Sequence, residues 1–180
     1  MRIEDEFLST EDFVWLVDNL VRNENIPYYL NQNQHACDEQ KFLGHTIVLR
    51  PELAGEEEEA KIRSETLYPI VKDLLKKGGE TNFEILRASV NVTFRNSHDR
   101  KTTWHHDHLC DYKHLIYYLT THDDAPTVIK NTEGEEVVID AFANRAVFFE
   151  RQLHRGTMPE YGLRAVIVVT YKSLQIEDKL

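Results

Sequence analysis

The chain has 180 residues, 21 basic and 31 acidic, for a net charge of −10. Hydrophobic residues make up 41 % and charged residues 29 %, a globular rather than a disordered balance. The acidic excess argues against broad nucleic-acid binding, which wants clustered Lys and Arg, and no apolar run approaches the roughly 20 residues that span a bilayer.

The opening, "MRIEDEFLST", lacks the apolar centre of a secretory signal, so a cytoplasmic protein is expected. Cys37 and Cys110 form no CxxC pair and read as free thiols. No repeat or linker interrupts the chain, which predicts a single domain over 1–180. Within it, 1–80 is expected to be mostly helical support and 81–175 a β-core.

"LSTEDFVWLVDNLVRN" predicts a first helix, capped by Ser9 with Asp12. Phe13, Leu16, Val17, Leu20 and Val21 give it one apolar face. "FLGHTIVLR", 42–50, predicts a strand. "EEEEAKIRSETLYPIVKDLLKKGG" predicts a second helical region, started by the glutamates at 56–59, kinked or split at Pro69 and ended by Gly78 and Gly79.

Beyond Gly79 the pattern changes to short strand-like runs: "ILRASVNVTFR", "HLIYYLT", "EEVVID", "RAVFFE" and "RAVIVVTYK". Their number and spacing predict a barrel or jelly roll, and hence an α+β, mainly β fold with N-terminal helices against it. In "ASVNVTF", alternation puts Ala88, Val90, Val92 and Phe94 on one face and Asn91 and Thr93 on the other. Asp123 and Asp124 predict a solvated turn. "RNSHDRKTTW" reads either as a substrate loop or as an ordinary connection, and Arg87, Arg95, Arg100 and Lys101 could line a local basic groove.

"TTWHHDHLCDYKHLIYYLT", 102–120, poses the chemical question, because it holds four of the nine histidines. Residues two apart on a strand share a face, so His105 and Asp107 point one way and His106 and His108 the other. Two histidines and a carboxylate form one face of a metal site with open positions, and His154, after a later strand, supplies the third ligand. The other register, His106 and His108 with His154, resembles a cupin-like His-x-His site but lacks the glutamate expected a few residues on. Arg164 follows His154 and opens an apolar strand. An arginine at the mouth of a buried β-core needs a partner, either an internal carboxylate or a bound dicarboxylate.

The order "WHHD", "LHRG", "GLRAVIV" resembles the Fe(II)- and 2-oxoglutarate-dependent dioxygenases, most closely the compact prolyl-4-hydroxylase-like group with its viral and bacterial members. The resemblance covers about 85–171. It implies a double-stranded β-helix (jelly roll, cupin-like) core, with His105, Asp107 and His154 holding Fe(II) and Arg164 binding the distal carboxylate of 2-oxoglutarate. It implies that Tyr118 hydrogen-bonds the same carboxylate, with Asn91 and Thr93 as further cosubstrate residues, whereas Tyr117 is expected in the core. It further implies O2 as co-reactant, succinate and CO2 as products, and hydroxylation of a C–H in a protein, a peptide (prolyl being one option) or a small molecule. The alternatives are a cupin-like metal protein without 2-oxoglutarate turnover, a non-catalytic β-sandwich, and, against the charge, nucleic-acid demethylation.

Overall fold

The computed structural model describes residues 1–32, 40–51 and 60–174. The expected glutamate-led helix start at 56–59 and Cys37 lie outside the described residues. Eleven strands and two helices are described below, labelled in chain order.

Helix α1 (Thr10–Leu20) begins where the sequence says it should: the Ser9 side chain accepts the Asp12 N–H at 3.1 Å and donates to the Asp12 carboxylate at 2.7 Å. Leu16 and Leu20 on its apolar stripe are buried, and Phe13, Val17 and Val21 pack beside them. Helix α2 (Tyr68–Lys77) carries Pro69 in its first turn, not inside it. A proline there sacrifices no hydrogen bond, so it starts the helix rather than kinking it. The residues before it form a short strand, β4 (Lys61–Ile62). Gly78 caps the other end, and a Cβ there would lie 2.3 Å from the Phe148 ring; Gly79 follows at φ +88°.

The first 80 residues also contribute β1 (Arg2–Glu4), β2 (Tyr29–Gln32) and β3 (Lys41–Leu49). The later strands are β5 (Phe83–Thr93), β6 (Lys113–Tyr118), β7 (His122–Lys130), β8 (Glu136–Ala141), β9 (Ala146–Glu150), β10 (His154–Gly156) and β11 (Arg164–Ser173). The larger sheet runs β1-β9-β6-β11-β5-β3-β2, with β4 on β3; the smaller runs β10-β7-β8. All the pairings are antiparallel. Two such sheets face to face make the expected mainly β jelly-roll core.

Asp123 and Asp124 sit in β7, not in a turn. Its pairing with β8 slips between His122 and Thr127, where Pro126 lies, and an irregularity of this kind lets proline into a sheet. Asn144 takes φ +64°, and its side chain bonds the Leu8 backbone in both directions at 2.9 Å.

Period-two alternation divides the chain's apolar side chains into two layers. Ala88, Val90, Leu115, Tyr117, Ile167 and Val169 face the helices, together with Leu75 and Val71 of α2. Ile116, Tyr118, Val166 and Phe149 face the smaller sheet, meeting Ile129 and Ile139. Tyr117 is a core residue, as expected. The opposite face of β5 is polar and opens into the space between the sheets.

Replacing Leu75, which is fully buried, by Ala is expected to lower the unfolding free energy by about 2–5 kcal/mol in urea denaturation. Trp15→Ala, at a ring 54 % exposed on α1, should change it by only about 0.5 kcal/mol. Equal effects would contradict the packing of α2 on the sheet.

Candidate metal and carboxylate centre

A cavity of ≈ 280 Å³ lies between the sheets. Strand β5 lines it with Arg87, Ser89, Asn91 and Thr93, the face that alternation set opposite the apolar one. His105, Asp107, His154 and Arg164 line it too.

His105, Asp107 and His154 each present one ligand atom, all within 4.8 Å of one another. The His-x-Asp stretch is not a regular strand. His105 makes a single antiparallel bridge with His154, closed by backbone bonds of 3.1 and 3.2 Å, and this bridge brings the two rings to 4.4 Å. Each ring turns Nδ1 to a backbone carbonyl, His105 to Thr103 at 2.9 Å and His154 to Gln152 at 3.1 Å. A carbonyl only accepts, so Nδ1 carries the proton and Nε2 its lone pair. Two imidazole nitrogens and a carboxylate oxygen so arranged fit a divalent first-row metal such as Fe(II).

The other two histidines are not part of the ligand group. His108 is buried with Nε2 2.7 Å from Thr170 Oγ1, and the His106 ring lies outside the cavity lining.

Burial works against the Asp107 charge, but the Arg87 cation and the hydrogen bond with His114 hold its carboxyl well below the usual carboxylate range. Arg87 Nη1 donates to Oδ1 at 2.7 Å, His114 Nε2 is 2.8 Å from Oδ2, and Arg50 Nη2 is 3.5 Å from Oδ1. Burial lowers His154 to about 4, so its imidazole is neutral at pH 7.

Arg164 is 5 % exposed, and no ion-pair partner meets it among the described residues. Its Nη2 donates to Thr127 Oγ1 at 2.8 Å, and its buried Nε has no partner. The Tyr118 hydroxyl donates to the same Thr127 Oγ1 at 2.7 Å. Thr127 lines the cavity and Tyr118 does not, so Tyr118 stands one residue further back than expected. With both lone pairs used, the Thr127 hydroxyl keeps its own proton to give.

The surface beside the site is held by ring and charge contacts. Trp104 lies beneath Lys130 at 4.9 Å and Arg155 at 4.2 Å, and Arg155 pairs with Glu136 at 3.2 Å. The loop at 95–103 is tied down, since Arg100 bonds the Asp124 carboxylate at 2.7 Å and Met158 O at 2.8 Å, and Arg95 pairs with Glu160. With Arg87 on Asp107, these arginines face acids and form no basic groove.

Thr127, Arg50 and His114 are absent from the sequence analysis, and Arg87 stands there in a basic groove rather than on Asp107. Only Arg87 carried a signal, as a charge on the polar face of the strand that holds Asn91 and Thr93.

No family model matches the chain, and no curated protein matches it in sequence. Solved structures do match. An oxidoreductase of the 2OG-Fe(II) oxygenase family from Burkholderia pseudomallei superposes with TM-score 0.75 at 13 % identity, covering 95 % of this chain and 83 % of that one. A prolyl hydroxylase from Trichoplax adhaerens, in complex with a peptide of the hypoxia inducible factor oxygen degradation domain, gives 0.62 at 17 %, over 96 % and 83 %. The epimerase SnoN of nogalamycin biosynthesis, with Fe3+, α-ketoglutarate and nogalamycin RO, gives 0.61 at 10 %, over 95 % and 78 %. At such identities the likeness shows the fold, which is the one that the sequence resemblance implied.

Between its ordinary value of 6.5 and about 4, His154 is protonated in the unfolded chain and neutral in the folded one. Stability of the metal-free protein is therefore full above that window and lost as pH falls through it, by roughly 3 kcal/mol from this residue. Urea melts with chelator at pH 7.5 and 4.5 should show the loss, and equal stabilities would contradict the buried neutral imidazole.

Proposed function

We propose that the protein is an Fe(II)- and 2-oxoglutarate-dependent dioxygenase. It hydroxylates a C–H bond of a protein, peptide or small-molecule substrate. 2-Oxoglutarate, O2 and R–H give succinate, CO2 and R–OH. The observation that carries this reading is the meeting, in one cavity, of a metal-ligand triad and a buried guanidinium without a carboxylate partner among the described residues.

His105, Asp107 and His154 hold the iron through two Nε2 atoms and one carboxylate oxygen. Bound iron supplies O2 activation and a Lewis-acid contact to the cosubstrate's keto acid end. Arg164 and Thr127 bind the distal carboxylate: the Arg164 fork supplies charge, and the Thr127 hydroxyl has a proton to donate. Tyr118 acts through Thr127, fixing the hydroxyl's direction. Asn91 and Thr93 line the wall beside Arg164. Thr93 stands opposite it in the β5–β11 register, and its Oγ1 donates to Arg164 O at 3.3 Å. No side chain has to act as a general base.

Asn31, Phe42, Thr46 and Val48 of β2 and β3 line the rest of the cavity, at the edge of the larger sheet. This is where the primary substrate sits. The peptide bound by the Trichoplax hydroxylase supports the peptide class and the prolyl option. The nogalamycin ligand of the epimerase supports the small-molecule class.

Protein incubated with Fe(II) and 2-oxoglutarate is expected to release succinate when O2 is admitted. His105→Ala should abolish release and His106→Ala should retain most of it. The reverse pair of results would move the site to the other histidine register. Metal binding without any succinate would support the cupin-like alternative.

A further inference from the structure

His114 lies at the start of β6, on the face that Ile116 and Tyr118 turn toward the smaller sheet. It is wholly inaccessible to solvent. An apolar residue in that place would need no hydrogen bond of its own, whereas a buried imidazole has to be satisfied by one. Its Nδ1 has no partner, and its Nε2 lies 2.8 Å from Asp107 Oδ2. The ring therefore carries its proton on Nε2 and donates it to the carboxylate.

The ring is itself held on three sides. It stacks on Phe149 with centroids 4.3 Å apart and planes 11° from parallel. Its neighbours at steep angles are Tyr112, at 4.8 Å, and His154, at 4.6 Å. The Tyr112 hydroxyl accepts the Asp107 N–H at 2.7 Å. On the far side of the carboxylate, Arg87 donates to Oδ1 at 2.7 Å. Each carboxylate oxygen thus has its own donor, and the donor on Oδ2 also abuts the ring of His154.

We propose that His114, together with Arg87, is a positioning residue of the metal centre, fixing the rotation of the Asp107 carboxylate while its ring braces His154. This rests on the reading of His105, Asp107 and His154 as ligands. A carboxylate already oriented loses no rotational freedom when metal binds, and partners of this kind are worth 10- to 100-fold in metal affinity.

The test is Mn(II) binding, read as free Mn(II) by electron paramagnetic resonance, with circular dichroism of the metal-free protein as the check on folding. His114→Phe keeps the stack on Phe149 and removes the donor; His114→Gln returns an N–H at similar reach. His114→Phe is expected to weaken Mn(II) by about 10- to 100-fold, and His114→Gln to recover most of that. Unchanged affinity in His114→Phe, or equal losses in both variants, would overturn the proposal. Should His114→Phe not fold, Arg87→Met carries the same expectation, and wild-type affinity there overturns it. A wild-type protein that binds no Mn(II) would instead overturn the ligand assignment.

Discussion

Everything at the centre of this molecule depends on the burial of one carboxylate. The Asp107 side chain is 3 % exposed, and a charge so placed has to be paired or it unfolds the protein around it. Its partners come from three different strands or their ends: Arg87 from β5, His114 from β6 and Arg50 from just beyond β3. Removing one partner of such a pair costs about 3–5 kcal/mol. The carboxylate therefore ties the larger sheet to a stretch that is not itself a strand, beside the backbone bridge that joins His105 to His154.

The same alternation that builds the core builds the cavity. On β5, every second residue goes to the helices and every other one to the space between the sheets. An apolar layer and a polar wall come from a single strand. Strand β11 repeats the arrangement, with Arg164 at its first position and Val166 and Val168 below it. The helices complete the apolar side only, which leaves the other side to the smaller sheet and to ligands. Arg164 is satisfied in part by Thr127 of that smaller sheet, while its buried Nε has no partner and the residue lines the cavity.

Much of this was legible in the residues. The Ser9–Asp12 cap, the stripe of α1 and the two faces of β5 follow from local rules and appear as expected. His105 and Asp107 do come together with His154, although the bridge takes in His105 alone and Asp107 lies in a bend beside it. What was not legible depended on contacts between distant residues. Pro69 read as a break because the start of its helix could not be located. Strand β7 was hidden by Asp123, Asp124 and Pro126, which local rules assign to turns, and Thr127 was lost with it. His114 looked like one more histidine in a rich stretch. Its distinction is a buried hydrogen bond to Asp107, seven positions earlier, which no periodicity of a strand or helix announces.

The central claim is that the triad and Arg164 act on one small molecule, the metal at one end and the guanidinium at the other. An anaerobic titration of the Fe(II)-loaded protein with 2-oxoglutarate tests it most directly. It follows the visible absorption band that needs both components, in the wild type and in Arg164→Ala. The account predicts a saturable band in both proteins, with half-saturation moved roughly 10- to 100-fold higher in Arg164→Ala, the loss of 1.5–3 kcal/mol expected for hydrogen bonds to a charge. No band in well-folded wild-type protein, or the same half-saturation in both, would contradict it.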